Sequence, residues 1–332
     1  MGGSEKALKT TGRALSKNYI DYVFLVIAAD KGITKSTSDY LKLALSMDLP
    51  IVTIFTKIDM IKDEEDKITL LNYFKCILKS EKKGKNPLVV KNKNDIVTFS
   101  QSINEGILPI FLISNKSGHG LDLFINFLNI LPATSDTDES SIVSNQDVQF
   151  DILETSGVEN KLILAGIVTK GTLIYDNQYL LGPDLDGNFK LASLKSIHCK
   201  RKSVKTAKKG QYCSILLEES VTKDSVRSGM VLINNNLKPK ASKTFEAEIW
   251  SINNEIQKIK YTSQPIVHIS PIRQSVKFIK REDCKDEDLI LDPYQTYKVK
   301  FEFLYTPEYL NEGSHLIIYQ NNIKIYGYIT KK

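Results

Sequence analysis

Two short polar loops, each directly after an apolar run, carry the residue types best suited to chemistry in this sequence. The first is Thr56-Lys57-Ile58-Asp59, which follows the apolar run 50–55. At the carboxyl end of a parallel strand, an aspartate can accept hydrogen bonds from the N1 and N2 donors of guanine, which adenine does not offer. We therefore predict that Asp59 reads guanine and that the aliphatic stem of Lys57 covers one face of the base.

The second loop, Ser114-Asn115-Lys116, follows the apolar run 107–113 and precedes a segment of helical period. We predict that the Ser114 hydroxyl braces Asp59. The Asn115 backbone N–H would donate to guanine O6, and the Lys116 stem would cover the other face of the base. The alternative interpretation is a pair of ordinary strand-to-helix turns with polar caps. The predicted guanine-binding residues are Thr56, Lys57, Asp59, Ser114, Asn115 and Lys116.

A phosphate-binding loop is missing from the pattern. No Gly-x-x-x-x-Gly-Lys-Ser/Thr occurs in the 332 residues, so no backbone cradle for a triphosphate is predicted. Charge-assisted phosphate contacts supply much of the affinity for a nucleotide. We therefore expect this chain to bind guanine nucleotide weakly or not at all, and not to hydrolyse GTP by itself.

The elements that must position these loops follow from the hydrophobic pattern. Apolar runs at 22–29, 50–55 and 107–113 alternate with segments of helical period at 36–47, 66–78 and 120–131. The runs are apolar at consecutive positions, as in parallel strands that are covered on both faces. The pattern predicts a partial α/β domain with a parallel sheet over 1–131, followed by a polar linker over 132–147.

After the linker the sequence changes to short β-branched runs broken by Gly, Asp and Asn. Such runs are typical of all-β domains. We predict one antiparallel β-barrel over 148–234 and a second over 235–332. The fold class is therefore α/β, a partial GTPase-type domain, followed by two antiparallel β-barrels.

Composition limits the remaining classes of function. The net charge of +6 permits a polyanionic partner without requiring one. No apolar stretch approaches the roughly 20 residues that span a bilayer, and the N-terminus has no secretory core. The four cysteines show no paired spacing, which indicates reduced thiols and a cytoplasmic protein. The four histidines lack zinc-site spacing, so no metal site is predicted.

Two basic segments remain. The segment 79–94 lies between a helix and the last apolar strand, and we predict that it is a solvated loop. A denser group of lysines and arginine at 195–209 lies in the first barrel. This group could neutralise phosphates of RNA, or it could be an ordinary solvated surface.

Several segments match, in order and spacing, those of one known class of proteins. They are Asp21-Tyr22, Asp30-Lys31-Gly32-Ile33-Thr34, Lys57-Ile58-Asp59-Met60, Gly166-Ile167-Val168-Thr169-Lys170-Gly171 and Ser228-Gly229-Met230-Val231-Leu232. On these segments the chain resembles the elongation factor Tu class of translational GTPases. Three more segments are similar to the eukaryotic GTP-binding protein 1/2 branch. They are Glu5-Lys6-x-Leu8-Lys9-Thr10-Thr11, Ser270-x-Ile272-Arg273-Gln274 and Thr306-Pro307-Glu308-Tyr309-Leu310.

The resemblance implies a GTPase domain followed by a translation-factor type barrel and a C-terminal barrel of the elongation factor Tu type. It implies GTP or GDP and Mg²⁺ as ligands of the intact protein, and tRNA or the ribosome as partners. The implied role is in translation elongation or in ribosome and messenger quality control. Membrane attachment is not expected, and the oligomeric state is left open.

One part of the family pattern is incomplete. The family has an Asp-x-x-Gly motif, usually followed by His, and here Met1-Gly2-Gly3-Ser4 supplies only its end, with Gly3 and Ser4 at the Gly and His positions. No intact catalytic residue is therefore predicted. Either Met1 is an internal methionine of a longer GTPase, or the chain has lost catalysis and serves as an RNA- or ribosome-binding module.

Overall fold

The computed structural model describes residues 20–80, 84–132, 147–158, 161–218, 223–251, 256–280, 288–293, 295–320 and 323–332. These residues form two compact units, one within 20–132 and the other within 147–332. Gly3 and Ser4, and nearly all of the predicted linker, lie outside the described residues.

The first unit is a parallel four-stranded sheet with helices on its faces. The strands are β1 (Val23–Ala28), β2 (Ile51–Thr56), β3 (Asn86–Val89) and β4 (Ile107–Leu112). The helices are α1 (Lys35–Ser46), α2 (Glu64–Ser80), α3 (Lys93–Ser102) and α4 (Leu121–Ile130). The strand order is β1-β2-β4-β3. This arrangement confirms the predicted parallel sheet.

Both faces of the central strands are covered, as their apolar runs predict. On one face Phe55 packs edge-on against Phe74 of α2. On the other face Phe111 packs against Phe127 of α4. Because β2 and β4 have core on both sides, their carboxyl ends are held at fixed positions beneath the two polar loops.

The predicted solvated loop at 79–94 is wrong in part. Residues 86–89 form β3 at the sheet edge, with Pro87 opposite Leu108 of β4. Asn92 then caps α3, because its side chain accepts the backbone N–H of Asp95 at 3.0 Å. A proline is tolerated in an edge strand. Because a proline in a short run argues against a strand, the sequence pattern predicted a loop here.

The second unit begins with a closed antiparallel barrel. Its strands in chain order are β5 (Gln149–Val158), β6 (Lys161–Lys170), β7 (Thr172–Ile174), β8 (Gln178–Gly182), β9 (Lys190–Cys199), β10 (Lys202–Val204), β11 (Thr206–Lys208), β12 (Tyr212–Leu217) and β13 (Val231–Asn234). Six strands follow the order β9-β12-β6-β5-β13-β8, and a β8–β9 pairing closes the ring. Strand β10 extends the sheet beyond β9, and β7 pairs with β11 as a separate ribbon.

Strand β9 was not predicted from the sequence. Its buried residues are Ala192, Leu194 and Ile197, which do not alternate strictly. The register between β9 and β12 shifts beside Leu217, as at a β-bulge. A bulge inserts one extra residue and so breaks the period of two by which strands are recognised.

A second closed barrel completes this unit. Its strands are β14 (Thr244–Ser251), β15 (Gln257–Lys260), β16 (Ile266–Ile269), β17 (Ile272–Ile279), β18 (Asp288–Leu291), β19 (Tyr297–Phe303), β20 (His315–Gln320) and β21 (Ile323–Lys331). The ring runs β14-β19-β17-β16-β20-β21, and β15 pairs with β18 outside it. The two closed barrels confirm the predicted fold class.

A buried ion pair joins the two barrels. Arg227, in the loop before β13, donates to both carboxylate oxygens of Glu308 at 2.9 and 3.0 Å. Gln274 and Thr306 also donate to this carboxylate, at 2.7 and 3.2 Å. Glu308 is 1% exposed, so four hydrogen bonds replace its lost hydration.

In the ranges that the structure describes, no helix combines the length and apolarity required to cross a membrane.

Candidate functional site

The two polar loops lie side by side at the carboxyl end of the parallel sheet. Strands β2 and β4 are neighbours in parallel register, with Phe55 opposite Leu112. Beyond them the Ser114 Oγ donates a hydrogen bond to Asp59 Oδ1 at 2.5 Å. Residues 55 positions apart in the chain are thus in direct contact, as the sequence predicted for this pair.

Backbone hydrogen bonds hold the loops together. The Ile113 N–H donates to the Phe55 carbonyl at 2.8 Å, and the Ile58 N–H donates to the Ile113 carbonyl at 3.2 Å. Lys57 between them has φ +58°, in the left-handed region. The chain then enters a single 3₁₀ turn that buries Ile58 and leaves Asp59 exposed. The carboxylate is therefore presented outward from a rigid base.

Ser114 is fully buried, and this limits its hydroxyl to a few partners. Its backbone N–H donates to the His119 carbonyl at 3.0 Å, and its carbonyl accepts the Gly118 N–H at 2.9 Å. The Ser114 Oγ also accepts the Ser117 N–H at 3.2 Å. The hydroxyl hydrogen is thereby directed to Asp59.

The charge state of Asp59 follows from this arrangement. The hydrogen bond from Ser114 is the largest cause that lowers the pKa of the Asp59 carboxyl, and the charges of Lys116 and Lys57 lower it further. Partial desolvation opposes them without reversing the shift. Asp59 is therefore an ionised carboxylate, an acceptor only, at neutral pH.

Asp30 is a site residue that sequence reasoning did not single out. It follows β1, and its Oδ2 lies 3.1 Å from Lys57 Nζ in an ion pair. This contact limits where the Lys57 side chain can lie. In the sequence Asp30 was noted only as part of the segment 30–34 that resembles the family. Its place in the site depends on the parallel pairing of β1 with β2, which brings the ends of both strands to one edge of the sheet.

The other predicted residues occupy different positions. The Thr56 Oγ1 donates to the Ile27 carbonyl of β1 at 3.4 Å, so this side chain fastens the end of β2 to its neighbour. Asn115 and Lys116 are exposed in the turn that Gly118 closes. The structure therefore brings all six residues to one edge of the sheet, while Thr56 faces a neighbouring strand.

An open cleft of about 450 Å³ lies beside Asp59. Its lining consists of Ile58, Asp59, Ile61, Glu64, Lys67, Leu112, Ser117 and His119. Lys57 and Lys116 are not in this lining, so the cleft covers only part of the predicted base site. Within the described part of the chain, no group of three or more His, Cys, Asp or Glu side chains is placed to hold a metal ion.

Comparisons with known proteins agree on one class. The family described as "Elongation factor Tu GTP binding domain" matches residues 3–165. GTP-binding protein 1 of Xenopus laevis is 35% identical over 335 residues, covering 100% of this chain and 49% of that protein. GTP-binding protein 2 of Homo sapiens is 30% identical, covering 99% of this chain and 54% of that protein. The chain thus spans about half the length of the curated relatives it matches.

Solved structures extend the likeness in fold to nearly the whole chain. The translation elongation factor SelB from Methanococcus maripaludis, in its apo form, aligns over 99% of this chain and 68% of its own, with a TM-score of 0.62. The same protein in complex with the GTP analogue GppNHp aligns over 99% of this chain and 69% of its own, with a TM-score of 0.64. Both are 16% identical in sequence, so they show the fold alone.

Proposed function

Because this chain belongs to the elongation factor Tu class of translational GTPases, we propose that its two polar loops bind the base of a guanine nucleotide, GTP or GDP. The observation that carries this proposal is the hydrogen bond from Ser114 to Asp59. It joins the two loops at one point and keeps an ionised carboxylate at the open end of the sheet.

Each residue has a separate part in this recognition. The Asp59 carboxylate accepts the N1 and N2 protons of guanine, and adenine has no matching pair of donors. Lys57, held by Asp30, lays its stem along one face of the base. Lys116 covers the other face, and the Asn115 N–H donates to O6. Thr56 acts indirectly, because its hydroxyl fixes the end of β2.

The proposal is limited to the base end of the nucleotide. Mg²⁺ and the phosphates are proposed ligands of the whole protein, as in GTPases generally, where the metal neutralises charge on the phosphates. The described residues offer no cluster that fits a metal ion, so no step is assigned to it here. The role of the whole protein is proposed to lie in translation elongation or in ribosome and messenger quality control, through tRNA or ribosome binding.

A competition assay tests base recognition. A fluorescent GDP analogue is bound to the chain and displaced with GDP or with ADP. We expect GDP to compete and ADP not to compete. Equal competition by ADP would show that Asp59 does not select guanine.

Asp59→Asn sharpens this test because it replaces one carboxylate oxygen, an acceptor, by an NH2 group, which only donates. One hydrogen bond to a charged group contributes roughly 1.5–3 kcal/mol, so its loss should lower GDP affinity by about one to two orders of magnitude. Asp66→Asn is the matched control, since Asp66 is exposed in the first turn of α2 and the charge change is identical. This control should bind GDP as the parent chain does.

A second candidate is a binding module of the same family that does not hydrolyse GTP. Ser4, where the family usually has His, favours it. Phosphate release from this chain does not separate the two candidates, because neither predicts hydrolysis without a phosphate-binding loop. The reading frame upstream of Met1 does so. An in-frame Asp codon just before Met1, with a Gly-rich Lys-Ser/Thr loop further upstream, supports a GTPase, and a stop codon there supports the silent module.

A further inference from the structure

The hairpin between β9 and β10 has an unusual tip. Cys199 pairs with Lys202, so only Lys200 and Arg201 form the turn. Both residues have positive φ, +50° and +66°. A two-residue turn with positive φ at both positions matches the twist of a hairpin, but it strongly prefers Asn-Gly. Two long cationic side chains thus occupy a backbone conformation that is strained for them.

The tip is exposed, and it lies next to the last strand of the sheet order. Strand β10 lies at the end of the sheet order, beyond the six strands that close the ring, and in the described structure it pairs only with β9. Lys200, Arg201 and Lys202 are all exposed. A partner can therefore contact these three side chains directly.

The cations at the tip have no acidic partner in the part of the chain that the structure describes. No carboxylate of these residues forms an ion pair with Lys200, Arg201 or Lys202. Lys205 and Lys208, on the chain that continues from β10 through β11, are also exposed. The surface therefore presents five cations over nine residues, from position 200 to 208.

From these observations we propose that the β9–β10 tip, Lys200-Arg201-Lys202, binds phosphate groups of an RNA backbone. Strained backbone conformations persist at sites where the strained residues have a function. An Asn-Gly pair would form this turn with less strain, and what Lys200 and Arg201 add to the turn is positive charge. Lysine and arginine contact backbone phosphates without reading sequence. The choice of RNA over other polyanions rests on the proposed function in translation.

The double variant Lys200→Asn/Arg201→Gly tests the proposal without a risk of misfolding. It removes two positive charges and installs the pair of residues that the turn prefers, so its Tm should equal or exceed that of the parent chain. The probe is a fluorescein-labelled 20-nucleotide RNA, with binding followed by anisotropy from 50 to 200 mM salt. We expect the RNA affinity of the variant to fall by about 25-fold at 0.1 M salt. Two phosphate contacts are lost, and for a single strand each contributes roughly 0.7 to the exponent with which RNA affinity depends on salt concentration.

The salt dependence itself is the second readout. The slope of log K against log salt should become less steep by about 1.4 in the variant. Lys258→Gln/Lys260→Gln is the matched control, because both lysines are exposed on β15 of the other barrel and two charges are again removed. This control should keep the slope of the parent chain.

Three outcomes overturn the proposal. One is a tip variant with the parent's affinity and slope, and another is an equal loss in the Lys258/Lys260 control. The third is a tip variant that loses binding to vesicles of phosphatidylserine and phosphatidylcholine but not to RNA. GDP competition measured on the same variant keeps the two proposals apart, because the tip and the guanine loops are in different units.

Discussion

Arg227→Ala should destabilise the two-barrel unit by about 3 kcal/mol at pH 7. The substitution removes both bonds from the guanidinium to Glu308, at 2.9 and 3.0 Å, and leaves that carboxylate buried. Breaking a buried ion pair costs roughly 3–5 kcal/mol. The lower end applies here because the Arg227 side chain is 29% exposed and Gln274 and Thr306 still donate to the carboxylate.

Urea unfolding measures this change directly. The chain has one tryptophan, Trp250 in β14, so its fluorescence reports on the second barrel. Arg273→Ala is the matched control, since Arg273 is an exposed arginine on β17 and its loss should change stability by less than about 0.5 kcal/mol. In the double variant Arg227→Ala/Glu308→Gln the buried charge is gone, so most of the lost stability should return.

The pH dependence gives an independent check. Burial raises the pKa of Glu308, and the charge and hydrogen bonds of Arg227 oppose this rise. Without Arg227 the pKa rises further. A carboxyl group whose pKa is higher in the folded than in the unfolded protein contributes most to stability at pH values below its unfolded-state pKa. This contribution is lost as the pH rises through the folded-state pKa. The loss of unfolding free energy in Arg227→Ala, relative to the parent chain, should therefore become smaller on acidification. A loss that became larger on acidification, or one no larger than that of Arg273→Ala, would refute the reasoning.

Two further predictions concern the guanine loops. Ser114→Ala removes the largest cause of the lowered Asp59 pKa, so the pKa of Asp59 measured by NMR should rise toward its ordinary value. On acidification, GDP affinity should therefore begin to fall at a higher pH in the variant than in the parent chain. An unchanged titration would contradict the Ser114 contact. Asp30→Asn frees Lys57 from a surface ion pair that contributes little to stability, so Tm should hold while GDP affinity falls severalfold. A lower Tm with unchanged affinity would make Asp30 merely structural.

Local patterns in the sequence determined much of this protein. Runs that are apolar at every position predicted β2 and β4 because strands covered on both faces exclude polar residues from each side. Polar residues at their ends then predicted the two loops, since the carboxyl ends of parallel strands share one edge of a sheet. The contact between Ser114 and Asp59 was predicted on this basis, and it also requires β2 and β4 to be neighbours, as the structure shows.

The tertiary structure decided what depends on neighbours distant in the chain. Strand β9 exists because β8 and β12 flank it, and the bulge opposite Leu217 breaks the period by which it would be recognised. Asp30 becomes a site residue only because β1 pairs with β2. Side-chain periodicity records which face of an element is buried, but not which element covers it, so pairings of this kind have no local signature.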